Sequence, residues 1–364
     1  MNPLANAPLA VLWWPVLVPT LAWAQGTAAP AASAAASAQY FSHLDWELAC
    51  DNTRTCRAAG YQKGEEAPPV SVLLTRKAGA GTPVTGQLAV DITDEAALKK
   101  LPATLNLAMK VNGQSLGTVL LPKDGLRGPL SAAQVQALLE ALTRSSSIEW
   151  SLGSLRWQLS DKGASAVLLK MDDMQKRLGT AGALARKGAA AESGVLPPLP
   201  APAVAVAPLA KPRAEDAQWL KKTPAGLLAA LRASLPREDA AACPSLVETK
   251  DADVALDVQR LSDTRLLVST SCWSAAYNSG EGMWLINDKP PFKAELVTAS
   301  ATDYKDGLIY AAQRGRGLGD CWALEQWAWD GRRFVHAKEA TTGLCRGMPG
   351  GAWELPTLVT DVRR

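Results

Sequence analysis

One serine in the sequence has the spacing of a hydrolase nucleophile. Gly113-Gln114-Ser115-Leu116-Gly117 matches the G-x-S-x-G pattern, in which a strained strand-to-helix turn lifts the serine beside a histidine base. Here Asn112-Gly113 indicates a type I′ hairpin turn, and Thr118–Leu121 continues as a strand. The chain holds only two histidines, His43 and His336. We therefore interpret Ser115 as a hairpin residue.

Three other groups of residues could do chemistry. Gly315, Gly317 and Gly319 with Arg314 and Arg316 could cradle an anion, but no helix follows to add its dipole, so a tight loop before Cys321 is favoured. The other two groups are acidic and are Asp172-Asp173 and the set Asp251, Asp253 and Asp257. Adjacent residues on a helix point about 100° apart, so Asp172 and Asp173 do not form a catalytic pair by themselves. Asp251, Asp253 and Asp257 lack the glycine and the distal glutamate of a calcium loop. We predict no catalytic residue, no metal site and no cofactor.

Tryptophan is the most suggestive residue type. Ten tryptophans follow position 24, and seven of these lie in residues 215–364. Trp327 and Trp329 alternate on one strand, so they could pack in a core or form a stacking platform for a sugar ring or a protein partner. The candidate binding residues are Arg316, Asp320, Trp322, Trp327, Trp329, Arg333 and His336.

The chain has six cysteines, two in its first half and four in its second. Pairing within halves leaves three connectivities. Cys50–Cys56 would clip a hairpin, and for the others we prefer Cys243–Cys272 and Cys321–Cys345. Metal binding is the alternative, but these spacings match no zinc pattern.

The elements that must position these residues are mostly strands. Alternation predicts strands at Trp46–Cys50, Val70–Lys77, Val84–Ile92 and Leu105–Val111, and hairpins around 278–280 and 330–331. Helices are expected from the Ser131 cap to about Thr143, over Ser165–Leu178, over Glu215–Lys222, and from a Thr223 cap with Pro224 at the first position. We predict an α+β fold, predominantly antiparallel β.

Two stretches without apolar periodicity divide the chain. Residues 1–24 predict a cleaved signal peptide ending in Ala22-Trp23-Ala24, and residues 25–39 an Ala/Ser-rich disordered tether. Residues 189–214 are rich in proline and alanine, which favours a semi-rigid polyproline spacer. The expected domains are residues 40–188, β-rich with two helices, and residues 215–364, helical at first and then antiparallel β. No membrane span is expected after signal cleavage.

Charge and composition restrict the function classes. The chain of 364 residues carries a net charge of +3, and residues 195–364 hold 20 basic and 20 acidic side chains. Nucleic-acid binding needs a clustered excess of cations, so we expect no nucleic-acid partner.

Five segments resemble a family of exported bacterial proteins, domain of unknown function 1176. The segments are Asp45–Tyr61, Met171–Gln175 with Arg177, Gly179 and Thr180, Ala276–Asn278, Arg316–Cys321 and Trp327–Gly331. The resemblance implies a periplasmic location and supplies no activity. The first half is also distantly similar to invasion-associated locus B proteins.

These observations favour a non-catalytic periplasmic binding or interaction protein. The expected partner is an envelope protein or a cell-wall glycan. The alternatives are an envelope hydrolase with carboxylates distant in sequence, and an inhibitor of a wall-degrading enzyme.

Overall fold

The computed structural model describes residues 39–65, 67–219, 222–236 and 242–364. They form mainly antiparallel sheets with a few short helices, as expected. The predicted signal peptide 1–24 and tether 25–39 lie outside the described residues, apart from Gln39. Within the described ranges, no helix has the length and apolar character needed to cross a membrane.

The first half of the chain builds two sheets. Its strands are β1 (Gln39–His43), β2 (Trp46–Cys50), β3 (Cys56–Tyr61), β4 (Val70–Arg76), β5 (Val84–Val90), β6 (Thr104–Val111), β7 (Gln114–Pro122), β8 (Arg127–Pro129), β9 (Ile148–Leu152) and β10 (Leu155–Leu159). One sheet has the order β1-β2-β3-β4-β5-β8 and the other β10-β9-β6-β7.

The turn between β6 and β7 has the predicted geometry. Asn112 and Gly113 adopt φ values of 50° and 80°, as a type I′ turn requires. Ser115 therefore lies inside β7 and pairs with Lys110 of β6. The hairpin interpretation of this serine is confirmed.

The first half also has three helices, α1 (Glu95–Lys100), α2 (Ala132–Ala141) and α3 (Ala164–Met174). The Ser131 hydroxyl caps α2 in a capping box with Gln134, as the sequence indicates. The helix α3 is shorter than predicted because Lys176 adopts a φ of 57° and stops it.

The central strands of the six-stranded sheet, β2, β3 and β4, are buried on both faces. Leu48, Ala58 and Val72 point into the main core of the first half, together with α2, α3 and the second sheet. Ala59 and Leu73 point the other way and pack beneath residues 348–355 of the second half. The burial of both faces explains why β2 is apolar or buried at every position.

Eleven strands lie in the described residues of the second half. They are β11 (Ala203–Ala205), β12 (Asp257–Arg260), β13 (Arg265–Ser274), β14 (Ser279–Asn287), β15 (Glu295–Ala301), β16 (Asp303–Lys305), β17 (Leu308–Arg314), β18 (Trp322–Trp329), β19 (Phe334–Thr341), β20 (Leu355–Leu358) and β21 (Asp361–Arg363). The sheets are β12-β13-β14-β15, β16-β17-β18-β19-β20 and the parallel pair β11-β21. Both predicted hairpins, β13–β14 and β18–β19, are present.

Three short helices accompany these sheets, α4 (Ala214–Trp219), α5 (Leu227–Ala233) and α6 (Pro244–Glu248). The sequence predicted that Thr223 caps the helix that is α5 in the structure. This start is wrong, because Gly226, with a φ of 79°, is the residue that precedes the first turn of α5. Helices α5 and α6 pack on one face of the four-stranded sheet. Its other face packs on the five-stranded sheet.

The proline-rich stretch makes hydrogen bonds with residues of both halves of the chain. Leu196 N donates to Gln175 O, and Arg54 Nη1 donates to Pro197 O at 2.9 Å. Further on, β11 pairs with β21, and Ala207 N donates to Trp329 O. The division into domains 40–188 and 215–364 around this stretch stays a prediction.

The three expected disulfides are confirmed as Cys50–Cys56, Cys243–Cys272 and Cys321–Cys345. The first joins opposite positions of β2 and β3.

Candidate functional site

The glycine- and arginine-rich segment is a tight loop between β17 and β18. Gly315 N donates to Cys321 O at 2.8 Å, and Gly319 N donates to Arg316 O at 3.0 Å. A Cβ on Gly315 would lie 2.7 Å from Cys321 Sγ, so the close approach to the disulfide requires glycine. The loop thus closes on itself, as the sequence favoured.

Arg316 and Asp320 hold the loop from inside. Arg316 Nε and Nη2 donate to the two Asp320 carboxylate oxygens at 2.8 and 2.6 Å, which is a bidentate pair. Gly347 N donates to the same carboxylate at 2.6 Å. The hydrogen bonds from Arg316 hold the pKa of Asp320 below its usual range. Arg316 also binds Glu65, so its guanidinium already has carboxylate partners.

A second segment, residues 342–354, braces the loop and is called here the Cys345 segment. It is joined to the loop by the Cys321–Cys345 disulfide and by the hydrogen bond from Gly350 N to Gly319 O at 3.0 Å. It also packs on the first half, where Trp353 Nε1 donates to Ser71 Oγ at 2.7 Å. The loop is therefore anchored to both halves of the chain.

Four side chains on and beside the braced loop, Tyr277, Arg314, Leu318 and Trp322, form what we call the Tyr277 surface. Leu318 is 71% exposed and Tyr277 is 45% exposed. The Arg314 guanidinium lies 5.0 Å from the centre of the Trp322 ring, a cation–π contact. Trp322 Nε1 donates to Gly319 O at 3.0 Å, which fixes the indole beside the loop.

Asn278 joins the turn after β13 to the loop. Its side chain accepts from Arg314 N and donates to Arg314 O, both at 2.9 Å. The Tyr277 ring lies 3.5 Å from the Cβ position of Gly317. Two segments that carry the family resemblance, Ala276–Asn278 and Arg316–Cys321, thus meet at one surface.

The remaining candidate residues lie at the other end of the β18–β19 hairpin. Trp329 is fully buried, and Trp327 is 8% exposed between the two sheets of the second half. His336 stacks on Trp327 with ring centres 5.0 Å apart. Arg333 is mostly exposed beside Asp330. The burial favours the packing role of the two tryptophans, because neither offers an open ring face to a ligand.

Three of the acidic candidates, Asp172, Asp173 and Asp251, have structural partners. Asp172 is buried and accepts from Leu184 N and Ala185 N at 2.7 and 2.9 Å, while Asp173 pairs with Lys170. Asp251 pairs with Arg232. One group in the described ranges has the spacing of metal ligands, Asp320 with Cys321 and Cys345, and the disulfide between its sulfurs removes both thiolates.

One buried carboxylate escaped the sequence analysis. Glu47 of β2 accepts hydrogen bonds from Tyr61 Oη, from Tyr40 Oη at 2.7 Å and from Leu344 N of the Cys345 segment at 2.8 Å. Burial raises the pKa of Glu47, although these donors oppose the shift. Glu47 lies within Asp45–Tyr61, so this resemblance segment marks the contact with the Cys345 segment.

The Tyr277 surface was also missed as a unit. Only Trp322 of its four members was among the candidate binding residues, because Arg314 and Leu318 were assigned to a tight loop and Tyr277 to the strand before the 278–280 turn. The available signal was Ala276–Asn278, a resemblance segment that lies in a turn, where exposed residues can bind partners.

Comparison with known proteins identifies a relative in Escherichia coli K12. The chain is 28% identical over 346 residues to its uncharacterized protein YpfG, covering 86% of this chain and 90% of that protein. No solved structure matches the chain. The similarity of the first half to invasion-associated locus B proteins stays a prediction.

A family model matches residues 40–360, which include both halves, the Cys345 segment and the Tyr277 surface. The chain therefore belongs to the family described as protein of unknown function DUF1176.

Proposed function

We propose that this protein is an exported, non-catalytic binding protein that holds a protein of the cell envelope at the Tyr277 surface. The observation that carries the proposal is Leu318, a large apolar side chain that is 71% exposed on a braced loop. An exposed apolar residue fixed in place by a disulfide and a bidentate ion pair loses little entropy on binding.

The composition of the surface supports a protein partner. Tyrosine, tryptophan and arginine are the residues enriched in interface hot spots, and all three lie beside Gly317 or Gly319, which flank Leu318. A glycan would favour open aromatic faces, and the burial of Trp327 and Trp329 removes the strongest candidates for such a platform. The proposed location is the periplasm, since three disulfides are typical of an oxidising compartment.

Site-specific crosslinking tests the surface in the exported protein. A photo-crosslinking amino acid replaces Leu318 in one variant and Val247, a second exposed aliphatic residue on α6, in the control. We expect one discrete adduct with an envelope protein from position 318, none from position 247, and loss of the adduct when Tyr277→Ala is added. Equal adducts from both positions, or none from either, would refute the proposed surface.

The purified protein then separates this proposal from its alternatives. It is incubated with insoluble cell-wall sacculi and, separately, with an added muramidase. We expect it to remain in the supernatant, to release no fragments and to leave the muramidase active. Co-sedimentation would identify a glycan ligand, released fragments a hydrolase, and suppressed muramidase an inhibitor, and each of these results would replace the proposal.

A further inference from the structure

A cavity of about 840 Å³ opens in the first half, away from the Tyr277 surface. Its walls are the turn between β4 and β5, helix α2, and the chain at 181–187 with Glu192. This volume falls in the range of small-molecule sites.

Arg76 lies on the wall of this cavity and is 5% exposed. Its Nε donates to Thr82 O at 3.1 Å, and its Nη1 donates to Gly182 O at 2.8 Å. Within the described part of the chain, these hydrogen bonds leave Nη2 without an acceptor. Nη2 lies 3.4 Å from the Cβ position of Gly182, another cavity residue. A buried guanidinium thus directs an unused donor toward the cavity.

The surroundings of Arg76 combine a second arginine with two carboxylates. Burial and the neighbouring Arg177 lower the pKa of Arg76 to about 10, and the charges of Asp172 and Glu192 oppose this shift. Asp172 Oδ1 is 3.7 Å from Arg76 Nη1, too far for a hydrogen bond, and Asp172 Oδ2 accepts two backbone N–H groups. Asp172 Oδ1 and Arg177 Nη1 are also buried without a hydrogen-bond partner among the described residues. Buried polar atoms without a partner are uncommon in folded proteins.

Glu192 occupies the space that an anionic ligand would need. A Cβ on Gly182 would collide with Glu192 Oε1, so the carboxylate lies directly against this glycine and near Arg76. Its other oxygen accepts from Gly81 N at 2.7 Å. Glu192 therefore shows that a carboxylate fits beside Arg76.

The rest of the cavity combines two cations with aliphatic side chains. Arg144 and Lys187 lie at its exposed rim. The aliphatic residues are Val84, Val135, Leu139 and Leu184. Glu140 is the second acidic residue of the wall, so the cavity has three cationic and two acidic side chains.

We infer that this cavity binds an aliphatic carboxylate, with the carboxylate on Arg76 Nη2 and between the rim cations, and the alkyl part against the valines and leucines. Both the C-terminus of a short apolar peptide and the head of a short acyl chain have this chemistry. Arginine is suited to this recognition because its fork of N–H groups matches a carboxylate.

Calorimetric titration of the full mature chain tests the inference with defined probes. The probes are hexanoate and N-acetyl-alanyl-alanine, each compared with its neutral amide. We expect one carboxylate to bind and its amide to bind about tenfold more weakly, because the amide loses a charge-assisted hydrogen bond. The better carboxylate identifies whether the source is an acyl chain or a peptide.

Variants then assign the binding to the cavity. Glu192→Gln should raise the affinity about threefold or more, since it removes the competing charge near Arg76, and a misfolded protein could not produce this gain. Arg144→Gln and Lys187→Gln should lower the affinity, whereas Lys289→Gln, an exposed lysine outside the cavity, should leave it unchanged.

Three results would overturn the inference. The first is that neither carboxylate binds at about 10 mM, the order of magnitude for the weakest useful site. The second is that each acid and its amide bind equally. The third is that Glu192→Gln does not change the affinity.

Discussion

Burial decides the role of each large apolar residue in the second half. Trp329 and Leu318 lie 11 positions apart in the sequence, yet Trp329 is fully buried between two sheets and Leu318 is 71% exposed. The first therefore contributes to stability, and the second is available for binding.

Trp329→Ala should lower the free energy of unfolding by about 3–5 kcal/mol, because it removes a large buried side chain from a packed core. Denaturant unfolding measures this loss. The control is Arg333→Ala in the same hairpin, whose side chain is 72% exposed and should cost about 0.5 kcal/mol or less. A Trp329→Ala protein of unchanged stability would contradict the packing role.

Glu47 should make stability depend on pH. Burial raises its pKa above 4.5 in the folded protein, so folding takes up a proton. Stability therefore falls as the pH rises above 4.5 toward the folded-state value. Glu47→Gln removes this ionisation and should gain stability relative to the wild type over that interval.

Urea unfolding of both proteins between pH 4 and 7 measures the difference, and Glu248→Gln, an exposed carboxylate on α6, serves as the control. A constant difference between the Glu47→Gln protein and the wild type would exclude the effect.

At the scale of elements, the Cys345 segment connects the loop of the Tyr277 surface to the six-stranded sheet. The Cys321–Cys345 disulfide links residues 24 apart in sequence, whereas Cys50–Cys56 links residues only 6 apart within one hairpin. The longer link restricts the unfolded chain more strongly. It also holds the loop of the Tyr277 surface against the Cys345 segment.

Replacing Cys321 and Cys345 together by alanine should cost about 3–4 kcal/mol, roughly 1 kcal/mol more than the same change at Cys50 and Cys56. Thermal and denaturant unfolding compare the two double variants. The Cys321/Cys345 variant should also lose the crosslink at position 318 at a temperature where it remains folded, while the Cys50/Cys56 variant keeps it. The opposite order of stabilities would contradict the loop-length argument.

At the scale of the whole molecule, the second half covers a face of the first. Trp353 and Met348 of the Cys345 segment pack on Ala59, Tyr61 and Leu73. Each half also has a core of its own. Two domains that meet through a fixed interface would have both features, a separate core in each half and packing between the halves.

If residues 40–188 and 215–364 are domains, the two pieces produced together should fold and associate. Trp353→Ala should weaken the association about tenfold or more, because it removes a buried aromatic anchor. Size-exclusion chromatography and titration of the purified pieces measure this. Pieces that stay unfolded when combined would refute the two-domain prediction.

Export predicts a defined mature terminus. If the predicted signal peptide is cleaved after Ala24, Gln25 is the first residue of the exported protein. Mass spectrometry of the protein from the periplasmic fraction checks the mass of residues 25–364. A chain that retains Met1 would contradict the cleaved signal peptide.

The sequence by itself determined the local features. Ser131 capped a helix, Asn112-Gly113 made a hairpin turn, and the cysteine positions led to the three disulfide pairs. These outcomes depend on residues close in sequence or on a small number of pairings. Local steric preferences are enough to fix the cap and the turn, whereas the disulfides were a preferred choice among three connectivities.

Only the tertiary structure decided what is exposed and what is assembled. The alternation of Trp327 and Trp329 places both side chains on one face of a strand. Packing against the four-stranded sheet decides that this face is buried in the core. Tyr277 and Leu318 lie 41 positions apart, and Arg76 and Glu192 are 116 apart, so no local pattern joins either pair. Burial and juxtaposition are properties of long-range packing, which residue spacing does not encode.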